Sequence, residues 1–165
     1  MTDESRFASE SEYLECVGVV VNAATLLDAM MADVLSVLLT CEVDVGEAIF
    51  FTLDALPAKK RLLERVATVV CSEDEKPLVS LLIEGAELVN RQRVEIAHAH
   101  LRYRPKPHAG LLRVKPRDQS GNHQVVTAQY LERLRNNAAH ALNLAEHAAN
   151  GLINMWRVVP KPVTD

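Results

Sequence analysis

The fold class this sequence predicts is all-α: a bundle of four or five helices with a small β-hairpin or ordered loop near 111–127. Three observations predict it. Apolar residues recur every three or four positions through three long stretches, which is the period of a helix with one buried face. Prolines collect at the ends of these stretches and after them. Aromatic residues make up only 4% of a chain that is 48% hydrophobic, so Leu, Val, Ile and Ala must build the core.

The first helix is expected to start near Ser9, where Ser and Glu precede the periodic run. Its seam is Tyr13, Val17, Val20, Ala24, Leu27, Met31, Val34 and Leu38. Thr40–Val45 reads as a connection, and a second helix runs from about Gly46 to Leu56, with Pro57 marking its end or a kink. A third covers Ala58–Val70, with Leu62, Val66 and Val69 on one side. Ser72 suits an N-cap, and the acids after it suit the positive end of a helix dipole. The fourth helix is expected from about Glu73 to His100, with Leu78, Leu81, Leu82, Gly85, Leu88, Val89 and Ile96 on its apolar face. Pro105 and Pro107 stop it.

Leu111–Arg117 and Gln124–Thr127 are two short β-capable runs around the turn residues Asp118–His123. Thr127 caps a last helix from Ala128 to about Trp156, whose seam is Leu131, Leu134, Ala138, Ala141, Ala145, Ala148, Leu152 and Met155. The run of alanines permits a close approach of another helix. The 165 residues are expected to form one domain, frayed over 1–8 and 158–165.

Cys16, Cys41 and Cys71 are odd in number and widely spaced, which fits reduced thiols in a cytoplasmic protein. The start of the chain is polar and acidic, unlike a signal peptide. The most apolar run, Val17–Leu39, is interrupted by Asn22, Asp28 and Asp33, so it reads as a core helix and no membrane is expected. No Gly-rich phosphate loop, nucleophile elbow or His-Glu-x-x-His is present. His140 and His147 stand seven apart, His108 and His123 are read as loop residues, and neither metal nor cofactor is expected.

The net charge of −4 argues against a general nucleic-acid coat protein, but the charge is segregated. Arg91–Arg117 carries +7, with Glu95 its only acid, and leaves −11 on the rest of the chain. A concentrated basic segment on an acidic protein points to a localised anionic ligand. Arg102, Arg104, Arg113, Lys115 and Arg117 are the candidate RNA-binding residues, and an extended strand would put the last three on one side.

Within this segment, Arg93-Val94-Glu95-Ile96-Ala97-His98 resembles the signature of the HEPN superfamily. In that family an Arg is followed after four to six residues by a His, late in a long helix. The resemblance covers the motif, the helical layout and the polar excursion after it. It implies an all-α, metal-independent endoribonuclease of toxin or defence type, working as a homodimer with an antitoxin or regulatory partner. Arg93 and His98 would be the catalytic pair, leaving a 2′,3′-cyclic phosphate and a 5′-hydroxyl. The sequence departs from active members at Val94, where they usually carry a polar residue.

The chemistry agrees with these residue types. Cleavage without metal needs an acceptor for the 2′-hydroxyl proton, which a His near neutral pKa supplies. It also needs a cation for charge developing on phosphate, which a guanidinium supplies. On an ideal helix, however, Arg93 and His98 lie roughly 140° apart, while Arg93 with His100 and Arg91 with His98 align within about 20°. His100 and Arg91 therefore stand as alternates, unless two chains complete one site. The second reading is a non-catalytic regulator or dimerisation adaptor of the same fold, which accommodates Val94.

Overall fold

The computed structural model describes residues 8–97, 100–104, 110–114 and 123–158. The protein is a helical bundle of α1 (Glu10–Leu38), α2 (Val43–Phe51), α3 (Leu56–Val70), α4 (Lys76–Ala97) and α5 (Ala128–Val158). Between α4 and α5 stand three short strands, β1 (His100–Arg104), β2 (Gly110–Val114) and β3 (His123–Val125), paired antiparallel in the order β1-β2-β3. The contacts group into two compact units, Met1–Ala24 with Val89–Ala139 and Thr25–Leu88 with His140–Asp165, so α1, α4 and α5 each contribute to both.

In the first unit, α1 opens with a capping box. The Glu12 amide donates to Ser9 Oγ at 3.2 Å, and the Ser9 amide donates to Glu12 Oε2 at 2.7 Å. Tyr13, Cys16, Val20 and Ala23 are buried here, together with Val89, Ile96, Val126, Leu131, Leu134 and Ala138. The Cys16 thiol donates to the Leu131 carbonyl at 3.6 Å. Thr127 caps α5 by accepting the Tyr130 amide at 3.1 Å. Ala8, in the segment expected to fray, is buried and donates its amide to Val126 at 2.9 Å. Residues 1–7 and 159–165 lie outside the described residues, and Val158 is the last residue of α5.

In the second unit, Leu27, Met31, Val34, Leu35 and Leu38 of α1 are buried, as are Phe50, Leu63, Ala67, Val79, Leu82, Ile83 and Leu152. Each fully buried Leu or Met contributes roughly 1.5–3 kcal/mol. α4 and α5 run antiparallel at close range. A Cβ on Gly85 would lie 3.0 Å from the Ala141 carbonyl oxygen and 3.3 Å from Ala145 Cβ, and one on Gly151 would lie 3.4 Å from Leu78. The small residues of the α5 seam are what permit this approach. α1 ends in a Schellman turn, with Cys41 N–H donating to Ser36 O and Thr40 N–H to Val37 O. Thr40 takes the left-handed position at φ 50°, where a β-branched residue is strained. At Gly46 the Ser36 side chain fills the space a Cβ would need.

Several elements differ from expectation. α2 spans Val43–Phe51 rather than 46–56, and Pro57 opens α3 instead of ending α2. Its missing N–H falls where a helix has no internal partner anyway. The inner face of α3 is Lys59, Leu63 and Ala67, while Leu62 and Val66 are half-buried and Val69 is 83% exposed. Lys59 can turn inward because its Nζ lies 2.8 Å from Asp28 Oδ2 and over the Phe50 and Phe51 rings at 4.8 and 5.0 Å. α4 begins at Lys76 and ends at Ala97, short of His100 at its far end. Leu81 and Met155, placed in the seams of α4 and α5, are exposed. A three-stranded sheet stands where a hairpin or loop was expected, and residues 115–122 lie outside the described residues. α1 is long and apolar enough to cross a membrane, with 28% of its most apolar window buried.

Candidate functional site

The last turns of α4 carry the Arg half of the motif. Val89, Gln92 and Ile96 face inward at helical spacing, which turns Arg91, Arg93 and Val94 outward to exposed positions. The Arg93 Nη2 donates to Asn90 Oδ1 at 2.9 Å, one turn earlier on the same helix, which limits the directions the guanidinium samples. Glu95, half-buried, accepts a 2.9 Å hydrogen bond from the Tyr130 hydroxyl of α5. The Ile96 carbonyl accepts another of 2.9 Å from the Tyr13 hydroxyl of α1. Two tyrosines thus hold consecutive residues at the end of α4. Gln92 is buried, and its Oε1 has no hydrogen-bond partner among the described residues.

His98 lies outside the described residues, as do Lys115, Arg117 and His108. His100 belongs to β1, where it pairs with Val114. The helical row that would align Arg93 with His100 therefore does not exist, because α4 ends three residues before His100. The alignment of Arg91 with His98 falls on a residue outside the described ones. His123, read from sequence as a loop histidine, opens β3.

The sheet register sorts the basic residues. β1 pairs with β2 as His100↔Val114, Leu101↔Arg113, Arg102↔Leu112, Tyr103↔Leu111 and Arg104↔Gly110. β2 pairs with β3 as Leu112↔Val125, Arg113↔Gln124 and Val114↔His123. By this register Arg102 stands opposite Leu112, whereas Arg113 stands opposite Leu101 on one side and Gln124 on the other.

The second unit holds other features. A cleft of about 300 Å³ is lined by Leu53, Ala58, Arg61, Leu62 and Arg65, and a smaller one of about 190 Å³ lies between α3 and α4 beside Thr68, Lys76 and Ser80. Glu87 is engaged by Lys60 Nζ at 2.8 Å, and this hydrogen bond raises the Lys60 pKa. Burial pushes the Cys16 thiol above its ordinary value, opposed in part by Arg135. Among the described residues no group of three or more His, Cys, Asp or Glu is placed to hold a metal ion.

Sequence reasoning misses Tyr13 and Tyr130 as supports of the motif helix. The signal is slight: the chain has only three tyrosines, and a buried Tyr usually spends its hydroxyl on a specific partner. No protein-family model, no curated protein and no solved structure matches this chain.

Proposed function

We propose that this chain is a metal-independent endoribonuclease of HEPN type, with Arg93 and His98 acting on an RNA phosphodiester. His98 takes the 2′-hydroxyl proton, the 2′-oxygen bonds to phosphorus, and the bond to the 5′-oxygen breaks as that oxygen gains a proton. Arg93 balances the charge that grows on the phosphoryl oxygens. The chain acts as a homodimer in the cytoplasm, two motifs meeting about a two-fold axis, with an antitoxin or regulatory protein restraining it.

The observation that supports this reading best is the exposure of Arg93 on the last turns of α4, five residues before His98, at the head of a segment carrying +7. The two tyrosine hydrogen bonds at Glu95 and Ile96 add to it, since a catalytic pair at a helix end needs that end held still. The test is cleavage of single-stranded RNA by the purified protein in EDTA. Arg93→Ala and His98→Ala should each lower the rate by about 10²-fold or more, with unchanged circular dichroism. Rates within a few-fold of the parent protein would overturn the assignment. Light scattering should show a dimer at micromolar concentration.

One observation favours a second reading, a non-catalytic adaptor of the same fold. Val94 is 44% exposed directly beside Arg93, an apolar group where an active site would use a polar one. A dimer that cleaves no RNA under any of these conditions would support it.

A further inference from the structure

α3 carries four cations, and they divide by partner. Lys59 lies 2.8 Å from Asp28, and Lys60 lies 2.8 Å from Glu87 and 3.7 Å from Glu64. Arg61 and Arg65 are exposed, and neither pairs with a carboxylate among the described residues. Both line the cleft of about 300 Å³ whose other walls are Leu53, Ala58 and Leu62, all within the second unit. They stand one helical turn apart, so their side chains are neighbours on the surface of α3. Arg61 Nε donates to the Pro57 carbonyl at 3.2 Å, which holds the near end of that guanidinium. Its two terminal nitrogens make no hydrogen bond among the described residues. Glu64, between the two arginines in sequence, lines the other cleft beside Thr68 and is met by Lys60.

We propose that this cleft binds a carboxylate bearing a short aliphatic group, with Arg61 and Arg65 on the carboxylate and Leu53, Ala58 and Leu62 against the aliphatic part. A planar guanidinium offers paired donors that match the two oxygens of a carboxylate. A cleft of this volume stands at the small end of ligand sites, which suits a group of several carbons and not a large cofactor. The surrounding charge disfavours a polyanion. In the same unit, residues 25–58 contain six acids and no Lys or Arg, so a nucleic-acid backbone would meet repulsion where a single carboxylate meets two cations. The apolar walls, in turn, offer nothing to a phosphodiester chain. The same chemistry occurs in a free aliphatic acid and at the C-terminus of a peptide that ends in an apolar residue. The proposal does not depend on the ribonuclease reading.

The experiment follows the amide NMR signals of the isotopically labelled protein during titration with octanoate, which represents the free acid, or with N-acetyl-valyl-leucine, which represents the peptide end. At least one should shift the signals of residues 53–65 saturably, with a dissociation constant of about 1 mM or tighter. The tighter of the two identifies the source. Arg61→Gln and Arg65→Gln should each weaken binding by about 10-fold, and Ala58→Leu, which fills the cleft, should abolish it. Circular dichroism of each variant verifies folding. Octylamine, with the same tail and the opposite charge, should leave these signals in place. Failure of both carboxylates to shift them, equal binding of octylamine, or parent affinity in either arginine variant or in folded Ala58→Leu would overturn the proposal. A single-stranded RNA oligonucleotide that shifts the same signals more tightly than either carboxylate would assign the two arginines to nucleic acid and overturn it as well.

Discussion

The Tyr13 hydroxyl donates a 2.9 Å hydrogen bond to the carbonyl of Ile96, a residue 83 positions later in the chain. Ile96 is next to last in α4, so among the described residues its carbonyl has no partner within the helix. The bond satisfies a buried acceptor and ties the last described turn of α4 to α1. Tyr13→Phe keeps the ring and removes the donor, leaving that acceptor unsatisfied. The protein should lose about 1–3 kcal/mol in urea unfolding, and ribonuclease activity should fall further than stability explains. Unchanged unfolding would mean that water replaces the hydroxyl freely.

Lys59 is the least expected core residue, and its partners make it tolerable. Lys59→Ala removes the ion pair with Asp28, the ammonium over the Phe50 ring and a buried side chain, so stability should fall by about 2–4 kcal/mol. Lys59→Met keeps most of the packing and should recover about half of that loss. Chemical denaturation of the two variants checks this. Equal losses would show that charge alone matters at this position.

Two helical glycines should respond in opposite directions to the same change. Gly18 of α1 is exposed, and a methyl group added there would meet nothing within 4 Å, so Gly18→Ala should gain about 0.8–1 kcal/mol from helix propensity. Gly85 faces the Ala141 carbonyl at 3.0 Å, and Gly85→Ala must push α5 away. Overpacking there costs about 1–3 kcal/mol and outweighs the propensity gain. Thermal melts should shift up for the first variant and down for the second.

Burial holds the Cys16 pKa above the ordinary thiol value of 9.0. The folded protein therefore keeps this proton at a pH where the unfolded chain loses it. Its contribution to stability is fully present below about pH 9 and is lost as pH rises toward the folded value. In the native protein at pH 8.5, alkylation should label the half-buried Cys41 first and Cys16 only on unfolding, as mass spectrometry of timed samples would show. Labelling of Cys16 at the rate of Cys41 would contradict this.

The long helices are legible in the sequence because their burial follows one period. Seven of the eight seam positions read for α5, from Leu131 to Leu152, are buried. The face of α3 is not legible, because Leu62 and Leu63 are adjacent and the choice between them depends on Lys59 finding Asp28, 31 positions away. Propensity cannot see such a partner. β1 is hidden for a similar reason. His100–Arg104 becomes a strand by pairing with β2 beyond two prolines, and strand formation depends on neighbours more than on the segment itself. Helical spacing is enough to place the motif arginine, whereas the pairings of the sheet are set by partners far along the chain.

The central claim is the chemistry assigned to Arg93 and His98, and the ends of the RNA fragments test it most directly. A His acting on the 2′-hydroxyl without metal must leave a 2′,3′-cyclic phosphate on one product and a 5′-hydroxyl on the other. The purified protein incubated with a single-stranded RNA in EDTA should give those ends, and His98→Ala should give no fragments above background. Products with 3′-hydroxyl and 5′-phosphate ends, or cleavage that requires a divalent ion, would contradict it.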